Sequence, residues 1–465
     1  MRALSVLFLV AAAAAAQTVD RTKEPVTPAV PDFKLPPISD VRLSNGLRVE
    51  LVEDARLPLV TVRLNFHAGA KFDPAGQPGV AAATAMLLVE GTKSRTSQQI
   101  AEAVDSLGGS LSGAANADSI TLSGNALGEH LTKLLEIMAD VARNASFPED
   151  EVALYKQNAI QVLASRRARP AFLAEEKLYA LVFGSHPYAR YASTPESIKQ
   201  LTRAHVAAHR DAFLVPNNAA LLVIGRLPQR AALNKAITQY FGDWAKKDTP
   251  AGPKPDFPAP KGQIVLIDRP GSVQADIHAG RLAPKRSDRE YYPLMVGNII
   301  LGGGTSSRMF REIREKQGFA YDAHSEYETR RDAAMVKAIT QVRNEVVEKA
   351  VAAVMEELNR MGAARVAASE LSLAKNYISG SYLIRFETQE GLAANLTAMD
   401  TLGLPNEFLE KANLNVRRVE PDQIQAAAKR YMAGGDSAIV VVGDAAKIGD
   451  ALRKFGDVTV VKAEK

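Results

Sequence analysis

Arg314 and Tyr321 are the two residues of this chain best placed to handle charge. Both lie in SRMFREIREKQGFAYDAHSEYE (residues 307–328). That segment reads as a helix with Met309, Phe310 and Ile313 inward, a stop at Gly318, then a strand on which Phe319, Tyr321 and Ala323 share a face. Arg308 has Glu312 four residues on and Arg311 has Glu315, so both are expected in surface ion pairs. Arg314 has no such partner: Phe310, Arg311, Gln317 and Gly318 occupy the positions three and four away. A turn at Gly318 brings Tyr321 beside it. A fixed cation next to a phenol donor suits negative charge developing on an oxygen. The plainer alternative is a helix-end arginine stacked on a strand tyrosine.

Other residues carry less of a signal. His205 and His209 have the spacing of two metal ligands on one helix face, with Thr202 as cap, but no glutamate stands between or just before them to activate water. A solvent-facing helix is the expected reading, with a metal at His205 and His209 as the alternative. LGGGTSS (residues 301–307) lacks the Gly-Lys-Ser/Thr ending of a phosphate loop and reads as a strand-to-helix passage whose hydroxyls cap the next helix. With no cysteine there is no disulfide, thiolate nucleophile or thiolate metal site.

The elements behind these residues come in two copies. VRLNFHAG (62–69) matches VQADIHAG (273–280), 211 residues on, which pairs His67 with His278 and marks both as structural. EVALYK (151–156) returns as ELSLAK (370–375), 219 on; AALLVIG (219–225) returns as SAIVVVG (437–443), 218 on; Phe241-Gly-Asp returns at Phe455, 214 on. Thr96-Ser-Gln-Gln opens a helix as a capping box, with Ile100, Ala103, Val104 and Leu107 on one face and Gly108 as stop. Residues 120–123 alternate as a half-buried strand, and Leu131, Leu134, Leu135 and Met138 mark another amphipathic helix. Alternating strands predict antiparallel or mixed sheets with one face covered by helices, hence α+β twice over. The division follows: an N-terminal domain at 40–245, a proline-rich linker at 246–262 and a C-terminal domain at 263–465.

Residues 1–16 have one basic residue, an apolar run and small residues before Gln17, the pattern of a secretory signal peptide, followed by an extension at 17–39. The run is shorter than the ~20 residues of a membrane span. The chain is expected to be exported, periplasmic or secreted. Removing Arg2 takes the net charge from +5 to about +4, and the basic residues are scattered, which argues against nucleic acid as partner.

The stretch GVAAATAMLLVEGT (79–92) then acquires meaning. Gly79, Val80, Ala81, Gly91 and Thr92, preceded by the acid-bearing loop KFDPAGQPG, resemble the frame of the inverted-zincin, or pitrilysin, peptidases, to which insulin-degrading enzyme and the mitochondrial processing peptidase belong. The resemblance covers about residues 40–460 and implies two related α+β domains that close on each other like a clam. In that family the frame encloses His-x-x-Glu-His, whose histidines grip zinc and whose glutamate activates water. Here those positions fall on Ala82, Ala85 and Met86, and the third ligand position, about 76 residues past Met86, falls on Val162. The resemblance thus implies no metal in this chain. It also implies a role for Arg314 and Tyr321, which match the arginine and tyrosine, seven residues apart, that hold the substrate carbonyl and steady the oxyanion. The expected function is the non-catalytic subunit of a heterodimeric zinc peptidase, acting on peptides with a partner that carries His-x-x-Glu-His and the zinc. A catalytically inactive scaffold or peptide-binding module of the same fold is the alternative.

Overall fold

A computed structural model describes residues 31, 33–259 and 261–463; the signal segment 1–16 and most of the extension lie outside them. The described residues from 33 onward form one compact unit built on two six-stranded sheets. The first contains β1 (Ile38–Arg42), β2 (Arg48–Glu53), β3 (Leu59–Phe66), β4 (Ser110–Ala115), β5 (Ile120–Leu127) and β6 (Ala219–Gly225). The second contains β7 (Gln263–Asp268), β8 (Gln274–Ala283), β9 (Ala320–Thr329), β10 (Ala334–Arg343), β11 (Ala438–Gly443) and β12 (Val458–Lys462). The spatial orders, β1-β2-β6-β3-β5-β4 and β12-β7-β11-β8-β10-β9, share five strands in the same sequence. In each, the parallel pair (β2 with β6, β7 with β11) is followed by antiparallel neighbours, so both sheets are mixed. The sixth strand breaks the repeat: β1 enters antiparallel to β2, whereas β12 joins β7 in parallel from the chain's other end.

The alternation expected of half-covered sheets fails at the centre. All seven residues of β6 and all six of β11 are buried, because both faces of those strands are covered. Leu221 and Val223 of β6 face the first half's own helices, while Leu222 and Ile224 meet Leu392, Leu396 and Met399 of the helix Gln389–Leu402, which belongs to the second half. The mirror arrangement holds for β11. Ile439 and Val441 face home helices, and Val440 and Val442 meet Leu178, Val182 and Phe183 of the helix Pro170–Phe183 from the first half. The two exchanged helices are offset by 219 residues at both ends, the same offset as the EVALYK repeat. Each side chain of this size that leaves water contributes about 1.5–3 kcal/mol, so the junction between halves is packed as a core.

The local signals explain where these helices begin. Pro170 occupies the first turn of one, where its missing N–H costs nothing, and Thr388 caps the other by accepting from the Gly391 N–H at 3.0 Å. Thr96 and Gln99 form the expected capping box, Gly108 adopts φ +62°, and Leu131, Leu134, Leu135 and Met138 are buried in the helix Leu131–Asn144. Residues 246–259 carry no helix or strand; Phe257 among them packs against Phe183 and His186. Near the N-terminus, Phe33 stacks on Phe386 with ring centroids 4.1 Å apart, and the Leu35 N–H donates to Glu410 Oε1 at 3.0 Å.

Candidate functional site

The acid-bearing loop and the helix Val80–Leu87 form one unit. Asp73 accepts from the backbone N–H of Gly79 at 2.6 Å and of Ala81 at 2.7 Å, satisfying two donors that a helix start leaves open. Burial pushes its carboxyl up to about 6, against the pull of those two N–H groups and of Arg190. Gly79 holds φ +103°, where a side chain is strained, and a Cβ there would lie 2.1 Å from Ser193 Oγ.

Between this helix and the helix Glu149–Arg167 opens a cavity of about 550 Å³. Ala82, Met86 and Val162 line it, so three positions that the resemblance brings together in sequence are brought together in space. Ala85 is turned away: it is fully buried, and a Cβ on Gly113 of β4 would stand 1.9 Å from its carbonyl oxygen. Methyl groups and a thioether do not fit a zinc ion, which takes imidazole, thiolate or carboxylate. Among the described residues no group of three or more His, Asp or Glu could hold a metal.

Arg314 and Tyr321 are neighbours. From Phe310 to Lys316 the chain winds as a π-helix, closed by Gln317 N–H to Glu312 O at 3.1 Å and Phe319 N–H to Ile313 O at 3.0 Å, and Gly318 turns it at φ +63° into β9. The Arg314 guanidinium then lies 4.7 Å from the Tyr321 ring centre and 4.6 Å from that of Phe310. Among the described residues no carboxylate pairs with it, and Tyr321 is 85% exposed. Neither residue lines the cavity around Ala82, Met86 and Val162. The expected ion pairs of the neighbouring arginines are replaced. Arg308 makes two bonds of 2.8 Å to Glu370 of the helix Ala368–Ile384, Arg311 approaches the same carboxylate at 3.7 Å, and Glu312 pairs with Lys316. A bidentate, half-buried partner outweighs an exposed contact one turn away.

His67, His205, His209 and His278 all make contacts within the fold. His209 is not solvent-facing as expected; it is buried and its Nε2 meets Ala68 O at 2.9 Å, with burial drawing its pKa down. His205 sits in the helix cap, its Nδ1 accepting from the Thr202 N–H at 3.3 Å. The repeat-related pair serves the helix exchange: His278 Nδ1 lies 3.2 Å from Glu175 Oε1 on one exchanged helix, and His67 Nε2 lies 3.7 Å from Asp400 Oδ2 on the other. The glycine-rich run joins two helical segments rather than a strand to a helix, and Ser307 Oγ accepts from the Phe310 N–H at 3.4 Å.

Sequence reasoning missed the cavity's far wall. Leu154 lines it and is 51% exposed, and its repeat partner Leu373 is 52% exposed. An apolar residue exposed at the same place in both copies of EVALYK was the available signal.

The chain matches the family model described as insulinase (peptidase family M16) over residues 48–196 and the one described as peptidase M16 inactive domain over residues 200–378. An uncharacterized zinc protease of Rickettsia bellii is 26% identical over 410 residues, covering 86% of this chain and 96% of that protein. One of Mycobacterium tuberculosis is 24% identical over 414 residues, covering 88% and 93%. A crystal structure described as a peptidase M16 inactive domain from Pseudomonas fluorescens superposes with TM-score 0.81 at 26% identity over 87% of this chain and 98% of that one. A protease from Helicobacter pylori, at 19% identity, shares the fold with TM-score 0.80 over 88% and 100%. Two consecutive domain models and a common two-sheet fold agree: the chain belongs to peptidase family M16.

Proposed function

We propose that this chain is the metal-free member of an exported two-chain peptidase, contributing Arg314 and Tyr321 to peptide hydrolysis by a partner that carries His-x-x-Glu-His and zinc. The observation that carries the reading is the pair itself: a guanidinium with no carboxylate partner among the described residues, held 4.7 Å from an exposed tyrosine ring. In contact with substrate, Arg314 would face the peptide carbonyl oxygen as a fixed cation and the Tyr321 O–H would donate to it, both bonds strengthening as charge builds there. Ala82, Met86 and Val162 offer neither a zinc ligand nor a base, which supports a partner chain as the source of the water-activating groups. Export rests on the signal-like segment 1–16.

Mixing this chain with a His-x-x-Glu-His chain encoded beside it tests the proposal. Peptidase activity should appear in the mixture, and Arg314→Ala or Tyr321→Phe should reduce it without preventing association. Full activity in both variants rejects the roles. One observation favours an inactive scaffold instead: Arg314 is sandwiched between Phe310 and Tyr321, an arrangement that stands without any substrate. On that reading the mixture associates but hydrolyses nothing.

A further inference from the structure

Arg314 is held in place without a counter-ion. Glu312 on the same π-helix pairs with Lys316 at 3.0 Å, Asp322 beside Tyr321 pairs with His324 at 2.6 Å, and Glu370 takes Arg308 at 2.8 Å. Glu315, the next residue along, makes no ion pair with it. No side-chain N–H of Arg314 donates to any acceptor among the described residues, so all five of its donors are open. Two rings stand where a carboxylate would. The guanidinium lies 4.6 Å from the Phe310 ring centre and 4.7 Å from that of Tyr321. The rings differ in freedom: Phe310 is buried and Tyr321 is exposed, so Phe310 is the fixed side of the arrangement.

A ring face attracts a cation without neutralising it and without taking up its N–H groups. A carboxylate in the same place would do both, and would compete with any oxygen that the guanidinium has to meet. Stabilising an oxyanion calls for the first arrangement: donors fixed in advance, with their charge intact. We infer that Phe310 is the positioning residue of this site, its buried ring holding the Arg314 guanidinium where a substrate carbonyl can reach it. Tyr321 supplies the second ring and the hydroxyl. Phe310 itself touches no substrate and acts only through Arg314. The inference rests on the role proposed for Arg314 and adds to it the residue that keeps the cation both fixed and unpaired.

Kinetics of the two-chain mixture test it. Phe310→Leu should lower kcat roughly tenfold, the scale of one cation–π contact, with KM little changed because the contact acts where charge develops. Phe310→Met serves as a second variant without a ring, and Phe310→Tyr, which restores the ring face, should recover most of the rate. In an Arg314→Ala background Phe310→Leu should add nothing, whereas a residue that only supports the fold would lower the rate in both backgrounds alike. In the full chain alone, the Arg314 Nε–H resonance, identified by its absence from Arg314→Lys, should lie upfield over the rings and move downfield in Phe310→Leu. Unchanged kcat in Phe310→Leu beside a loss in Arg314→Ala, equal losses in the two backgrounds, or a resonance that does not move overturns this inference and leaves the role of Arg314 standing. An inactive mixture, or full activity in Arg314→Ala, overturns that role and this inference with it.

Discussion

Glu175, on the helix that the first half lends to the second, accepts two hydrogen bonds from Lys337 Nζ, at 2.8 and 2.9 Å. Both side chains are nearly buried, and His278 closes the group from β8. Burial alone would push the Glu175 carboxyl up, but His278 and Lys337 outweigh it and hold it below the ordinary carboxylate value. Burial alone would lower Lys337, and Glu175, with Glu326 at 3.0 Å, reverses that.

Removing the lysine from this group is costly. Lys337→Met leaves the buried Glu175 carboxylate with His278 alone and is expected to cost about 3–5 kcal/mol, read from the shift of the urea midpoint. Glu175→Leu together with Lys337→Met should recover much of the loss. In the wild type the Glu175 contribution is present above the unfolded carboxylate value of 4.5 and fades as pH falls through its lower folded value. The Lys337 contribution is present below 10.5 and fades as pH rises through its raised folded value.

Asp73 gives the opposite sign among carboxylates. Its folded pKa is raised from 3.8 to about 6, so the folded state binds the extra proton and stability falls as pH rises across that window. Asp73→Asn lacks this titration. The wild type should therefore lose ground to the variant between pH 4 and 6 in paired urea melts, and a constant difference would show that Asp73 is not perturbed.

For the Arg314 and Tyr321 pair, function and stability separate. Tyr321 is 85% exposed, so Tyr321→Phe should change unfolding free energy by less than about 0.5 kcal/mol. In the two-chain mixture the same variant is expected to lower kcat by roughly 10²- to 10³-fold, as loss of an oxyanion donor does. The phenylalanine ring keeps the contact with the guanidinium, so the loss would report the hydroxyl.

Restoring donors tests whether the cavity keeps the geometry of a metal site. Ala82→His, Met86→His and Val162→Glu together place three ligands on its wall, and the triple variant should bind zinc near one equivalent, measured by competition with a chromophoric chelator. The wild type should bind none at this position. A triple variant that folds yet ignores zinc would mean that the two helices stand too far apart to share a metal ion.

The parts of this fold that were legible in the sequence are those fixed by local chemistry. The Thr96 capping box, the helix marked by Leu131 and Met138, and the turn at Gly318 that sets Tyr321 beside Arg314 are all decided within a dozen residues. The duplication was legible because its copies keep a common order. Partner choice was not. Nothing in Leu178, Val182 and Phe183 states which sheet they cover, and periodicity is blind to whether an apolar face packs at home or abroad. Arg308 was assigned to Glu312 for the same reason: spacing reveals near neighbours, and Glu370 is remote in sequence. His209 misled because a histidine one helical turn from another looks the same whether it faces water or Ala68 O.

The crossed helices also bear on how such a chain arose. Each sheet borrows its second cover, so a lone half would leave β6 or β11 with one apolar face in water. Two free copies of a single ancestral unit could lend each other that helix about a true twofold axis, and the stretch at 246–262 needs only to keep the copies at hand. Halves produced separately should then be insoluble apart and refold when combined, behaving as a dimer whose subunits happen to share one gene.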